Sequence, residues 1–218
     1  MRFALSTLIV AAGLATSAFA QTPVPAPAET APAAVAPEPP AIPAPPPAVA
    51  EPAPPPPTLP TTGNGAEAIA ALEKVCVPLV RGQPLDVLAK ANGFRLNRRE
   101  QTWSKQLGPE KGYQIIISPP GSNKGLCFAE LRYPTGADVE ISKTLNLWAF
   151  VRQPPLDPTA NYTQPQDPDG LKRVRRSWEY LTSTESVGLN FSTVRKADDT
   201  QLNPKYDTGN LQYQERKF

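Results

Sequence analysis

Apolar positions recur at helical spacing at two places early in the foldable part of the chain. Ile69, Leu72, Cys76 and Leu79 form one stripe, and Leu85, Leu88 and Ala89 a second. The first stripe follows Asn64-Gly65-Ala66-Glu67, which reads as a capping box in which Asn64 caps the helix and Glu67 reaches back. Pro78 is expected to end or kink this helix. The second helix starts at Pro84, a favourable first position, and stops at Asn92-Gly93, where a left-handed residue closes it.

The period then changes. Gln101 to Leu107 around Trp103, Tyr113 to Ser118 with its Ile115-Ile116-Ile117 run, and Leu126 to Tyr133 read as strands. Ile141, Leu145, Trp148 and Val151 mark a third helix capped by Ser142 and ended by Pro154-Pro155. Gln153 to Gly170 reads as a long loop. Lys172 to Leu181 and Gly188 to Arg195 read as a closing hairpin around Thr182 to Val187. The predicted order is α-α-β-β-β-α-β-β. Short links between successive strands favour an α+β fold, a small and mainly antiparallel sheet packed by two to three helices. No internal repeat is visible.

Composition adds the organisation ahead of this domain. Arg2, the uncharged and mostly apolar Phe3 to Leu14, and Ala18-Phe19-Ala20 have the layout of a secretory signal peptide over residues 1–20, with Gln21 as the expected mature start. Gln21 to Pro60 holds 17 of the 29 prolines. Proline lacks an amide donor and drives its predecessor out of the helical region, so residues 21–62 read as a disordered Pro/Ala-rich tether. Fully extended, such a segment reaches on the order of 120 Å. The expected division is a signal peptide at 1–20, a tether at 21–62, a globular α+β domain at 63–196 and a polar tail at 197–218. That tail has room for a late strand around Leu211, Tyr213 and Phe218. Leu59-Pro60-Thr61-Thr62-Gly63 matches a sortase sorting signal, but a foldable segment follows it instead of a hydrophobic span and basic tail.

Charge and residue types restrict the chemistry. The net charge is +2; without Arg2, Glu29, Glu38 and Glu51 the remainder carries 21 basic and 17 acidic residues. That excess is too mild to suggest nucleic acid as a partner. Histidine is absent, which removes Ser-His and Cys-His nucleophile pairs and His-ligated metals. No phosphate loop, G-x-S-x-G elbow or S-x-x-K is present. No cofactor and no metal site is read from the sequence, and the chain reads as non-enzymatic. Glu130 and Glu140 are the candidate pair for carboxylate-only hydrolysis. Cys76 and Cys127 are the only cysteines, and export to an oxidising compartment predicts a disulfide between the helix stripe and an inner strand.

Lys172-Arg173-Val174-Arg175-Arg176, with Trp178 and Tyr180 beyond, offers a possible binding surface. On a strand, Arg173 and Arg175 share one face while Val174 and Trp178 share the other. Arg95, Arg98 and Arg99 form a second basic cluster. An envelope protein or an anionic cell-wall polymer is the expected partner, and no stable membrane span is expected once the signal is removed. The layout of signal, proline-rich tether and small two-cysteine domain resembles that of many exported bacterial proteins. It also resembles TonB-type energy transducers, which set a proline-rich spacer between an anchor and a small α+β domain containing a Tyr-Pro pair, as in Tyr133-Pro134 here. Three readings result: a periplasmic or secreted envelope protein that presents a binding domain, a carboxylate-dependent envelope hydrolase, and a TonB-like anchored protein whose leader is not cleaved.

Overall fold

Burial alternates strictly along Leu126–Tyr133, with Cys127, Ala129, Leu131 and Tyr133 inside and their neighbours half-exposed. That period-2 pattern belongs to a strand covered on one face only. The computed structural model describes residues 57–164 and 168–218. The signal peptide and the tether as far as residue 56 lie outside the described residues.

Eight strands form one antiparallel sheet: β1 (Arg95–Asn97), β2 (Thr102–Gln106), β3 (Gln114–Ser118), β4 (Leu126–Tyr133), β5 (Asp157–Thr163), β6 (Leu171–Leu181), β7 (Glu185–Lys196) and β8 (Asp207–Lys217). The spatial order is β1-β2-β3-β4-β8-β7-β6-β5. Each half is therefore a helical segment followed by a four-stranded meander that runs from an outer edge to the centre. The two last strands, β4 and β8, meet there. The α+β class stands, but the sheet is larger than the small one expected, because β1, β5 and β8 add to it.

The helices are α1 (Asn64–Ala71), continued through a π turn at Leu72–Cys76 into α2 (Val77–Val80), then α3 (Leu85–Ala91) and α4 (Ala137–Val151). Among the described residues, no helix is long and apolar enough to cross a membrane. All helices lie on one side of the sheet. Cys76 bonds Cys127, Trp148 of α4 packs edge-on against Tyr213, and Cys127 and Tyr213 are direct cross-strand partners facing the same way. The core is the single layer between, built from Leu72, Val75, Leu131, Ile141, Leu145, Phe191 and Leu211.

Local chemistry explains the departures from expectation. Gly63, not Asn64, caps α1, and no side chain from the segment itself performs the capping. The Glu140 carboxylate of α4 accepts from the Gly65 amide at 3.0 Å, and Glu67 is turned away to Lys105 at 2.8 Å. Pro78 does not end the helical run. The turn before it widens, with the Val77 amide donating to the Leu72 carbonyl, and the side-chain amide of Asn92 donates to the Lys74 carbonyl that Pro78 has no N–H to reach. α4 starts at Ala137 after a left-handed Gly136, five residues ahead of Ser142, whose hydroxyl instead bonds the Asp138 carbonyl inside the helix.

One close approach in the core gives a direct test. Gly209 of β8 lies under Phe191 and Tyr133, and a methyl group there would come within 2.7 Å of the Phe191 ring and 3.1 Å of the Tyr133 ring. Both rings are fully buried and have nowhere to move. Gly209→Ala should lower stability by about 1–3 kcal/mol through overpacking, read as a fall in the urea midpoint at unchanged slope.

Candidate functional site

The middle of the face without helices is a field of polar side chains, with Ile116, Phe128 and Val194 around it. Its centre crosses four strands: Tyr162 of β5 pairs with Arg175 of β6, Arg175 with Ser192 of β7, and Ser192 with Asn210 of β8. The adjoining row runs Ala160, Ser177, Asn190 and Gln212. Directly paired residues point to the same face, so the strand alternation that buries Leu189, Phe191, Leu211 and Tyr213 on one side presents these amides and hydroxyls on the other.

Three of these side chains bond to one another. Ser177 Oγ donates to Asn190 Oδ1 at 2.6 Å, Arg175 Nη2 donates to the same oxygen at 3.1 Å, and Arg175 Nε donates to Ser177 Oγ at 3.3 Å. The guanidinium thus has neutral partners only. Both bonds to Asn190 use its oxygen, so its amide protons remain without a partner among the described residues. Gly188, the neighbour of Glu179 on β6, leaves bare backbone beneath Gln214, and an open depression of about 320 Å³ extends over Tyr162, Arg175, Ser177, Asn190 and Gln214. The Tyr162 ring is 46% exposed at its rim.

The cluster can bind but has no means to move a proton from a nucleophile. The acceptor of the Ser177 hydroxyl proton is a carboxamide oxygen, which is far too weak a base to keep it. What remains is one charge that cannot be neutralised, several neutral donors and acceptors, and an aromatic plane. Among the described residues, no three acidic or cysteine side chains gather as a metal site requires.

The expected basic strip is divided between the two faces. Arg173 and Arg175 point to the open face, and Lys172 and Arg176 to the helix side, as strand alternation requires. Lys172 is paired with Asp199 at 2.6 Å and Arg173 with Asp169 at 2.6 Å. The Arg173 guanidinium holds the Asp169 carboxyl below its usual range. Arg95 lies on β1 and Arg98 and Arg99 in the turn after it, at the opposite edge of the sheet from β5.

Glu130 and Glu140 are not brought together. Glu130 sits on the open face of β4, bonded to Arg132 at 2.6 Å, and Glu140 caps α1 on the helix side. The sheet separates them, so they share no cleft. Tyr133, the tyrosine of the Tyr-Pro pair, is a core residue whose hydroxyl is buried, and burial raises its pKa well above the phenol range. Ser177, Asn190 and Gln214 were not singled out by sequence. The signal that finds them is the polar half of the alternation in β7 and β8, read jointly once the strands are in register.

No family model, no curated protein and no solved structure matches the chain.

Proposed function

We propose that the protein works outside the cytoplasm as a non-enzymatic envelope protein, carrying its folded domain on a proline-rich tether, and that the open sheet face around Arg175 is its binding surface. The observation that carries this is the Arg175–Ser177–Asn190 cluster: a cation with only neutral partners, set among unused amides beside an exposed tyrosine, on a face that no helix among the described residues covers. Of the two partner classes, an anionic cell-wall polymer fits better than a protein. Hydroxyls and amides of a glycan match the Asn and Gln groups, sugar rings stack on tyrosine, and a carboxylate meets the guanidinium. A protein partner would favour an apolar centre, whereas here the apolar Ile116, Phe128 and Val194 lie around the polar cluster instead of at its middle.

Support for the compartment comes from the leader sequence and from the paired cysteines, which persist in oxidising surroundings. The carboxylate hydrolase loses its motive, because its two acids lie on opposite sides of the sheet.

The test is co-sedimentation of the mature chain with isolated peptidoglycan sacculi. The chain should be recovered from the envelope with Gln21 at its start by mass spectrometry. Arg175→Gln should weaken sedimentation about tenfold, the loss of one charge-assisted hydrogen bond, and Asn190→Ala should weaken it further. Equal sedimentation of the variants and the parent would overturn the assignment of the face. Recovery of the Met1 form from the cytosol would overturn the compartment.

A further inference from the structure

A second depression lies on the other side of β6. An open groove of about 360 Å³ lies between α4 and the outermost strand β5, a volume within the range of small-molecule sites. Its floor is Arg176 and Trp178 of β6, its helix wall carries Val139, Lys143 and Asn146, and Pro158 stands on the strand wall.

Arg176 is the unusual feature. Its Nη1 is shut off from solvent and has no hydrogen-bond partner, and the whole guanidinium has neither a hydrogen bond nor an ion pair among the described residues. The residue as a whole is half-buried and lines the groove, and a guanidinium keeps its charge at any ordinary pH, so an anion at its remaining N–H groups would be favourable. Among the described residues, no acid lines the groove. Of the two carboxylates at the adjoining end of this face, Asp207 contacts Arg195 through Oδ2 at 2.8 Å while its Oδ1 is buried without a partner among the described residues, and Asp138 contacts Arg195 at 3.7 Å; neither lines the groove. Lys143 adds a second positive charge at the rim.

The apolar lining is equally specific. Trp178 Nε1 donates to Asn146 Oδ1 at 2.8 Å, which fixes the indole and satisfies its one polar atom. The small part of that ring open to the groove, with Val139 and Pro158, gives an apolar wall beside the charge. Asn146 keeps its amide protons for a second acceptor.

We infer that this groove binds a small organic anion: a carboxylate held by Arg176 with Lys143 at the rim, joined to a short apolar or aromatic body that lies against Trp178. The site is distinct from the open face. Arg175 and Arg176 are neighbours in sequence and so project to opposite sides of the sheet, and neither reading requires the other.

Titration of benzoate into the folded, nitrogen-15-labelled protein tests this, following the Trp178 indole N–H signal assigned with Trp178→Phe. Benzoate should move that signal saturably. Neutral benzamide, and benzoate with Arg176→Gln, should each bind about tenfold more weakly, as expected for loss of a charge-assisted hydrogen bond. Arg176→Gln removes a half-buried unpaired charge, so its melting temperature should equal or exceed that of the parent. Should that variant fail to fold, Lys143→Gln at the exposed rim replaces it, with an expected weakening of about threefold for a partly screened charge. Three outcomes would overturn the inference: no movement of the Trp178 signal, equal binding of benzamide, or unchanged benzoate affinity in the folded variants.

Discussion

A chain that stops at Ala197 should not fold. The residues beyond it read as a polar tail with room for a late strand, and that strand, Asp207–Lys217, lies at the middle of the sheet, paired to β4 on one side and to β7 on the other. Without β8 the two meanders have no common partner, and each inner strand exposes a row of unpaired backbone groups. Leu211 and Tyr213, both buried, leave the core with it. Removing a buried side chain of that size costs about 2–5 kcal/mol, and a whole domain holds only about 5–15 kcal/mol. Two such losses together with a central ladder exceed what the remaining contacts supply. The truncated chain should show no cooperative thermal transition and no near-ultraviolet circular dichroism. A peptide covering residues 203–218, added to it, should restore part of both. A cooperative melt of the truncated chain alone would place the folding determinants elsewhere.

The weak strand signal of β8 has a physical origin. Its core-facing positions are Asp207, Gly209, Leu211 and Tyr213, so two of four inward residues are not hydrophobic. Gly209 is small because two rings fill its place, and Asp207 is buried because Arg195 accompanies it. A tertiary contact dictates each of these residues, and local periodicity carries no trace of such a contact. β5 was read as loop for the opposite reason. It is almost wholly exposed, includes Pro158 and has no apolar face to alternate, as edge strands allow. β1 is three exposed residues. Elsewhere the sequence was legible: the extent of β4, the long β6–β7 hairpin, the second helix from Pro84 to Asn92-Gly93, and the split of Arg175 from Trp178 all followed from residue type and spacing. The open-face cluster was legible only in part. Arg175 and its facing direction could be read from one strand, but Ser177, Asn190 and Gln214 meet it through registers across β6, β7 and β8 that no single segment encodes.

Reduction should weaken the domain without dissolving it. Cys76 and Cys127 are separated by 51 positions and are each 1% exposed. In the chain-entropy description, the cross-link removes about 4 kcal/mol of freedom from the unfolded chain. Comparison of oxidised and reduced forms of the same protein isolates that contribution, because the sulfurs keep their volume in the core; the urea midpoint should fall by the corresponding amount. A loss under about 1 kcal/mol would mean that the unfolded chain already holds these segments together or that the reduced core relaxes to compensate. The position of the bond sharpens the expectation. It ties the first helical run to β4, so it fastens the first meander to its own covering helix and leaves the seam between β4 and β8 held by hydrogen bonds and side-chain packing alone. The reduced full-length protein should therefore still unfold in one step, since the seam is intact. The oxidised chain ending at Ala197 should stay unfolded, since no cross-link in the first half can replace the strand that joins it to the second.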